Sequence, residues 1–225
     1  FLIRAFDELV NYWRKTVPGE FDYFRKMEIL KTNIYGIDLD KQAAEITQMN
    51  LLLKTVTHKE QLPYLKNIKC GNSLINDPVI AGDKAFNWRT EFPEVFATGC
   101  HCERKRSNLN SPQKQNEESS GGFDVVIGNP PYVKEYTNKS AFDDLHDNPY
   151  YQGKMDIWTL FACTAIDLLK DGGYFSFIAP NNWLTNTGAS IFRDKILSEG
   201  QITKFVDFGD FKVFKDAGIQ TMVFL

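Results

Sequence analysis

The sequence carries no excess of positive charge: 29 Asp and Glu outnumber 26 Lys and Arg, leaving a formal net charge of -3 at pH 7. A chain that grips nucleic acid unaided usually shows a broad basic footprint. Here any such contact has to be local or supplied from elsewhere. Cysteine is scarce too. Cys70, Cys100, Cys102 and Cys163 form no disulfide framework in a chain of this size, which points to a reduced, cytoplasmic setting. Cys100-His101-Cys102 has the residue types of a zinc site, but paired zinc ligands are spaced by roughly two to four residues and need a second pair. No metal is expected. No apolar run approaches the roughly 20 residues of a membrane span, so no membrane partner is expected. Arg4, Asp7 and Glu8 break the first apolar stretch, so no signal peptide is expected there.

What is present is enough for one sizeable core: 225 residues, 43% hydrophobic, with a single domain over 1–225 as the default. Phe1, Leu2, Ala5, Phe6, Leu9 and Trp13 recur at helical spacing and predict a helix over 1–15 with one buried face. It starts without a capping residue, so the chain looks cut from something longer. A second helix is predicted over 24–31. A strand over 33–40 then ends in acids, and a helix follows over 42–55, with Asp40 suited to be its N-cap. Residues 68–74 form a third strand running into a Gly71-Asn72 turn. Trp88, Phe92 and Phe96 are expected to pack under the sheet.

From 99 to 122 the composition turns to Glu, Arg, Lys, Ser, Asn, Gln and Gly, as in a mobile insertion. Its Arg104-Lys105-Arg106, beside Glu103, touches phosphate or is simply solvated. Residues 133–149 are expected to form a mobile loop and 150–170 a helix. Gly172-Gly173 turns into a strand over 174–179, followed by the loop 180–183, a helix over 188–198 and strands over 202–208 and 220–225. This alternation predicts an α/β fold, a doubly wound and mostly parallel sheet whose last strand pair is antiparallel.

The chemistry concentrates in Phe123-Asp124-Val125-Val126-Ile127-Gly128-Asn129-Pro130-Pro131-Tyr132, a short buried strand stopped by a glycine and two prolines. Each proline fixes φ and drives the preceding residue out of the helical region. The result is a rigid loop at the carboxyl end of a strand, where ligands bind in open α/β sheets. Two preset acceptors, the Asn129 amide oxygen and the Pro130 carbonyl, stand beside an aromatic face, Tyr132. That set suits a planar amine: the acceptors take its hydrogens while the ring stacks on its plane. The plain alternative is an Asx-Pro turn closing a buried strand.

The Asn129-Pro130-Pro131-Tyr132 sequence and its flanks resemble the amino-group methyltransferases dependent on S-adenosylmethionine, specifically the bacterial DNA adenine-N6 methyltransferases of type II restriction-modification systems. The resemblance extends over most of the chain. It implies a Rossmann-like methyltransferase fold in which Asn129, Pro130, Pro131 and Tyr132 are catalytic. Phe1 and Leu2 stand where a Phe-Leu pair opens the first helix after a glycine-rich loop that this chain lacks. Asp38 matches the ribose-binding acid and Leu39 its adenine-contacting neighbour. Asn72 matches the residue that reaches the cofactor's adenine amino group, with Ser73 lining that pocket. Phe1, Asp38, Leu39, Asn72 and Ser73 are therefore the implied cofactor-binding set, each with a plainer reading in capping or turn formation. The segment Phe211 to Ala217 resembles the one whose phenylalanine stacks on the extruded base. Phe214 is the match, and the competing view is an inward aromatic of a β-hairpin.

The implied reaction is methyl transfer to N6 of an adenine flipped out of double-stranded DNA, within a system whose endonuclease is fused or separate. The family arrangement implies a C-terminal target-recognition domain, which is expected to lie beyond residue 225. Two other functions stay open on sequence: methylation of a protein glutamine or of RNA, which uses the same four-residue loop, and a non-catalytic nucleic-acid-binding module.

Overall fold

The structure, a computed structural model, describes residues 1–17, 19, 22–56, 62–97, 121–214 and 219–225. They form two compact units, Phe1–Asn87 and Trp88–Leu225. Most of the expected insertion over 99–122, the Cys100-His101-Cys102 cluster and Lys215 to Ala217 lie outside the described residues.

In the first unit, α1 (Leu2–Thr16) buries Phe6 and Val10 and ends in Arg14 and Lys15, cations suited to the negative end of the helix dipole. Helix α2 (Tyr23–Asn33) is capped by Asp22, whose carboxylate accepts the Arg25 N–H at 3.0 Å. Strand β1 (Gly36–Asp38) leads through Asp40, the observed N-cap, into α3 (Lys41–Thr55). Strand β2 (Ile68–Cys70) pairs with β1 in parallel, Gly36 against Ile68 and Asp38 against Cys70. A one-turn helix, α4 (Pro78–Ala81), follows. Phe6, Met27, Leu30, Ile34, Leu51, Leu65 and Ile68 fill the core between these elements. Within it the buried Asn67 amide donates to the carbonyls of Leu30 and Ile34, satisfying the end of α2 without water.

The second unit opens with two single turns, α5 (Trp88–Glu91) and α6 (Pro93–Phe96). Their aromatic rings gather on Phe123, with Trp88 at 5.9 Å and Phe96 at 5.6 Å, both edge-on. They pack at the amino end of β3 (Phe123–Gly128). Next come α7 (Trp158–Asp167), β4 (Leu169–Pro180), α8 (Ser190–Glu199), β5 (Phe205–Asp207) and β6 (Thr221–Phe224). The strand order is β3-β4-β6-β5. Strands β3 and β4 are parallel, while β6 runs antiparallel to both β4 and β5. Trp158, Phe177, Trp183, Phe192, Met222 and Phe224 form the core on one side of this sheet.

The α/β class, the parallel pairs and the antiparallel last pair agree with expectation. Several points differ, among them the loop expected over 133–149, which contains a short helix, Lys139–Leu145, with Phe142 and Leu145 buried. The described strands make two sheets, one of two strands and one of four, where one sheet was expected. The reversed strand β6 is inserted between β4 and β5, so two pairings are antiparallel rather than one. The helix expected over 150–170 is confined to Trp158–Asp167. Gly153 and Lys154 take positive φ values of 74° and 51°, which no α-helix accommodates. Residues 155–157 are instead drawn into extended pairing with 133–135: Glu135 N–H donates to Met155 O and Ile157 N–H to Val133 O. The Gly172-Gly173 turn is a bulge within β4, since Phe123 pairs with Leu169 but Val125 with Tyr174.

Candidate active site

Because β3, β4 and β5 are mutually parallel, their carboxyl ends lie on one edge of the four-stranded sheet. Three segments leave that edge: Asn129 to Tyr132 after β3, the turn Asn181–Leu184 after β4, and the residues from Phe208 to Phe214 after β5. The four-residue loop thus stands where sequence placed it.

The way β3 stops follows from its proline. Asn181 N–H donates to Gln220 O at 3.1 Å, so the alternate residues Ala179 and Phe177 direct their backbone bonds to β6 and Ile178 directs its own toward β3. The last β3–β4 pair is Gly128 with Phe177. The next rung would need an N–H at residue 130, and Pro130 has none. The Tyr132 hydroxyl takes that place, 2.9 Å from Ile178 O, and lies 2.6 Å from Asn129 Oδ1. Burial pushes the Tyr132 hydroxyl up to about 12, so it remains protonated at neutral pH. Asn129 and Pro131 are exposed, Pro130 is buried, and the Tyr132 ring is half-buried against the core. A rigid loop therefore presents an exposed amide held by a tyrosine.

Phe214 is half-buried in the loop after β5. Strands β3 and β5 are three places apart, about 14 Å at the usual spacing. Strand β5 ends on the same edge as Asn129, and Phe214 follows that end by seven residues.

In the first unit, the other expected residues gather at the carboxyl edge of the parallel pair. Asp38 ends β1 opposite Cys70, which ends β2, and Asn72 follows two residues later. Asp38 Oδ1 accepts the Asp40 N–H at 2.9 Å. Leu39 is 53% exposed, and its carbonyl accepts from Lys84 Nζ at 3.0 Å. Asn72 Oδ1 accepts the Leu74 N–H at 3.0 Å, an Asx turn that places Ser73 within the bend. Phe1 is exposed at the start of α1. Its neighbour Leu2 packs on β1, since a Cβ on Gly36 would meet Leu2 Cδ1 at 2.6 Å. Asp38, Leu39, Asn72 and Ser73 thus share one edge, with the start of α1 packed on the same strand. Among the described residues no three His, Cys, Asp or Glu are grouped to hold a metal, and no helix is long and apolar enough to cross a membrane.

Sequence reasoning missed two groups behind the four-residue loop. Asp156 is 5% exposed and its pKa is raised, chiefly by burial, against the opposing charge of Lys134 and the Asn182 amide at 3.5 Å. Trp158 Nε1 lies toward this carboxylate without completing a hydrogen bond. Glu135 accepts from the Tyr151 hydroxyl and the Lys154 N–H. The signal for Asp156 was an acid inside the apolar run Met155-Asp156-Ile157-Trp158.

Residues 32–214 match the family model described as Eco57I restriction-modification methylase. The chain is 31% identical over 246 residues to the type II restriction enzyme and methyltransferase RM.Eco57I of Escherichia coli, covering 96% of this chain and 22% of that protein. It is also 31% identical over 108 residues to the type II methyltransferase M.HincII of Haemophilus influenzae, covering 45% of this chain and 21% of the relative. It therefore spans about a fifth of the length of these relatives. Among solved structures, a nuclease-deletion mutant of the type ISP restriction-modification enzyme LlaGI, in complex with a DNA substrate mimic, superposes with a TM-score of 0.60 at 14% identity, covering 100% of this chain and 19% of that one. The DrdV–DNA complex superposes with a TM-score of 0.57 at 14% identity over 96% of this chain and 21% of that one. At such identities the likeness concerns the fold alone.

Proposed function

The chain belongs to the Eco57I restriction-modification methylase family, and from that premise we propose that it transfers a methyl group from S-adenosylmethionine to the N6 amino group of adenine in DNA. The observation that carries this reading is the loop Asn129 to Tyr132, stopped by Pro130 at the carboxyl edge of a parallel strand pair with its amide exposed. Asn129 and the Pro130 carbonyl would accept the two amino hydrogens. That keeps electron density on nitrogen for a new N–C bond, as the S–C bond of the donor would break with its electrons left on sulfur. No general base is required before transfer, because the methylated nitrogen can release its extra proton to water afterwards. Pro131 stiffens the loop. Tyr132 and Phe214 would stack on the two faces of the adenine, which has to leave the helix because N6 of a paired base cannot reach an internal site. The chain's contribution is chiefly positioning.

S-adenosylmethionine, when bound, supplies an electrophilic methyl group. The donor set at the edge of β1 and β2 fits it. Asp38 offers a carboxylate suited to ribose hydroxyls, exposed Leu39 an apolar face for adenine, and Asn72 with Ser73 polar groups for the adenine rim. Phe1, beside Leu2 on β1, would close the same pocket. In this reading double-stranded DNA and a fused or separate endonuclease are the protein's partners.

The test is to incubate the complete protein with DNA and isotopically labelled S-adenosylmethionine and to identify the product by mass spectrometry of digested nucleosides. N6-methyladenine is the expected product. Label on another base, on RNA or on glutamine would overturn the assignment.

A further inference from the structure

The Tyr132 hydroxyl makes two contacts with one proton. It lies 2.9 Å from Ile178 O and 2.6 Å from Asn129 Oδ1, and both neighbours are acceptors as drawn. A phenol donates once. Ile178 O is the carbonyl that Pro130 leaves without a rung, and a backbone acceptor deprived of its donor costs more than an ordinary hydrogen bond gains. The proton therefore belongs to Ile178. Exchanging the oxygen and nitrogen of the Asn129 amide moves no other heavy atom. It lets Nδ2 donate to the phenol oxygen, once the pair opens by about 0.1 Å to a normal N–H···O length. Both contacts are then satisfied and the Asn129 carbonyl oxygen turns outward.

Resting on the function proposed above, we infer that the Tyr132 hydroxyl, distinct from its ring, is a positioning group that holds the Asn129 amide with its oxygen facing the target amine. The relay runs from Ile178 O through Tyr132 Oη to Asn129 Nδ2. Each group in it uses a donor or acceptor that the neighbouring one needs. With the wrong face outward, Asn129 would present N–H groups to an amine that is itself a donor. Such an encounter gives no hydrogen bond. The elevated pKa of Tyr132 keeps the relay intact through the neutral range.

The test pairs Tyr132→Phe with Tyr132→Trp in the complete protein. Tyr132→Phe keeps a stacking ring and removes only the hydroxyl. The expected result is a fall in kcat of about ten- to hundredfold with KM for DNA changed less than threefold, whereas Tyr132→Trp lowers kcat to a similar degree despite its larger ring. A merely structural role for the hydroxyl would leave kcat unchanged in whatever fraction folds, and unchanged kcat in Tyr132→Phe overturns the inference. A second readout needs no activity. In the unliganded protein the Asn129 side-chain amide should give a slowly exchanging 15N–1H pair with a nuclear Overhauser contact to the Tyr132 ring, lost in Tyr132→Phe. A freely rotating amide in the parent protein overturns the relay. Absence of methyl transfer by the parent protein would sink the proposed function instead, and the amide signal would still decide the relay.

Discussion

Gly128, the last residue of β3, lies so close to Phe177 that a Cβ on it would stand 2.9 Å from Phe177 Cε1. The pair closes the final rung before Asn129. Phe177 is 6% exposed and wedged by Phe175 at 4.6 Å, so it has little room to retreat. Gly128→Ala should therefore displace the start of the loop and destabilise the protein by about 1 to 3 kcal/mol, the usual cost of overpacking. Urea unfolding measures this, and an unchanged midpoint would show that the ring yields freely.

Asn129→Ala should abolish methyl transfer while lowering stability by about 1 kcal/mol or less, since an exposed side chain loses one hydrogen bond. Labelled-methyl incorporation beside a thermal melt separates the two effects. Retained incorporation would remove Asn129 from the chemistry.

For Phe214 the expectation concerns DNA. If it stacks on the extruded base, Phe214→Ala loses about 1 to 3 kcal/mol, seen as weaker binding to DNA carrying a mismatched target adenine and as slower transfer. Its half-buried setting predicts only a modest change in melting temperature. A large drop in stability with normal transfer would mark it as a core residue.

Asp38 tests the other edge. Asp38→Ala should weaken S-adenosylmethionine binding by about ten- to hundredfold, as expected for hydrogen bonds to a charged group worth roughly 1.5 to 3 kcal/mol. Calorimetric titration of the complete protein reads it directly. An unchanged affinity would leave Asp38 only its turn role with the Asp40 N–H.

Glu135 supplies a pH dependence. The Tyr151 hydroxyl, aided by the Lys154 N–H, holds its carboxyl below the usual range. A carboxyl whose pKa is lowered by folding adds stability that is present above its unfolded value, about 4.3, and lost as pH falls through the folded value. The melting temperature of the parent protein should thus fall more steeply on acidification from about pH 5 to pH 3 than that of Glu135→Gln. Parallel curves would exclude this source.

The loop after β3 was legible because two prolines punctuate a short apolar run, and the Asp40 cap because a carboxylate before a helical period has a single local use. Asp38 and Asn72 were placed correctly at strand ends for the same reason: both obey local rules. The overlong helix before Asp167 shows the limit of periodicity. Met155, Ile157 and Trp158 continue an apolar pattern whether the backbone is coiled or extended, and pairing with Val133 and Glu135 decided the matter. The insertion of β6 between β4 and β5 is likewise a long-range choice, invisible in the alternation of Thr221 to Phe224. The Asn129–Tyr132 contact could have been suspected from its three-residue spacing, but its partner Ile178 lies 46 residues from Tyr132.

Pro130 gives the loop a vacancy in place of a bond. Any of the other common amino acids at that position would bring an N–H to the Ile178 carbonyl and extend the sheet by a rung, and the tyrosine hydroxyl would then have a competitor. The strand would gain order and the amide beside it would lose its tether. A residue with no part in proton transfer thus decides, by the hydrogen it does not carry, whether the neighbouring side chains are free to assemble into anything more than the end of a strand.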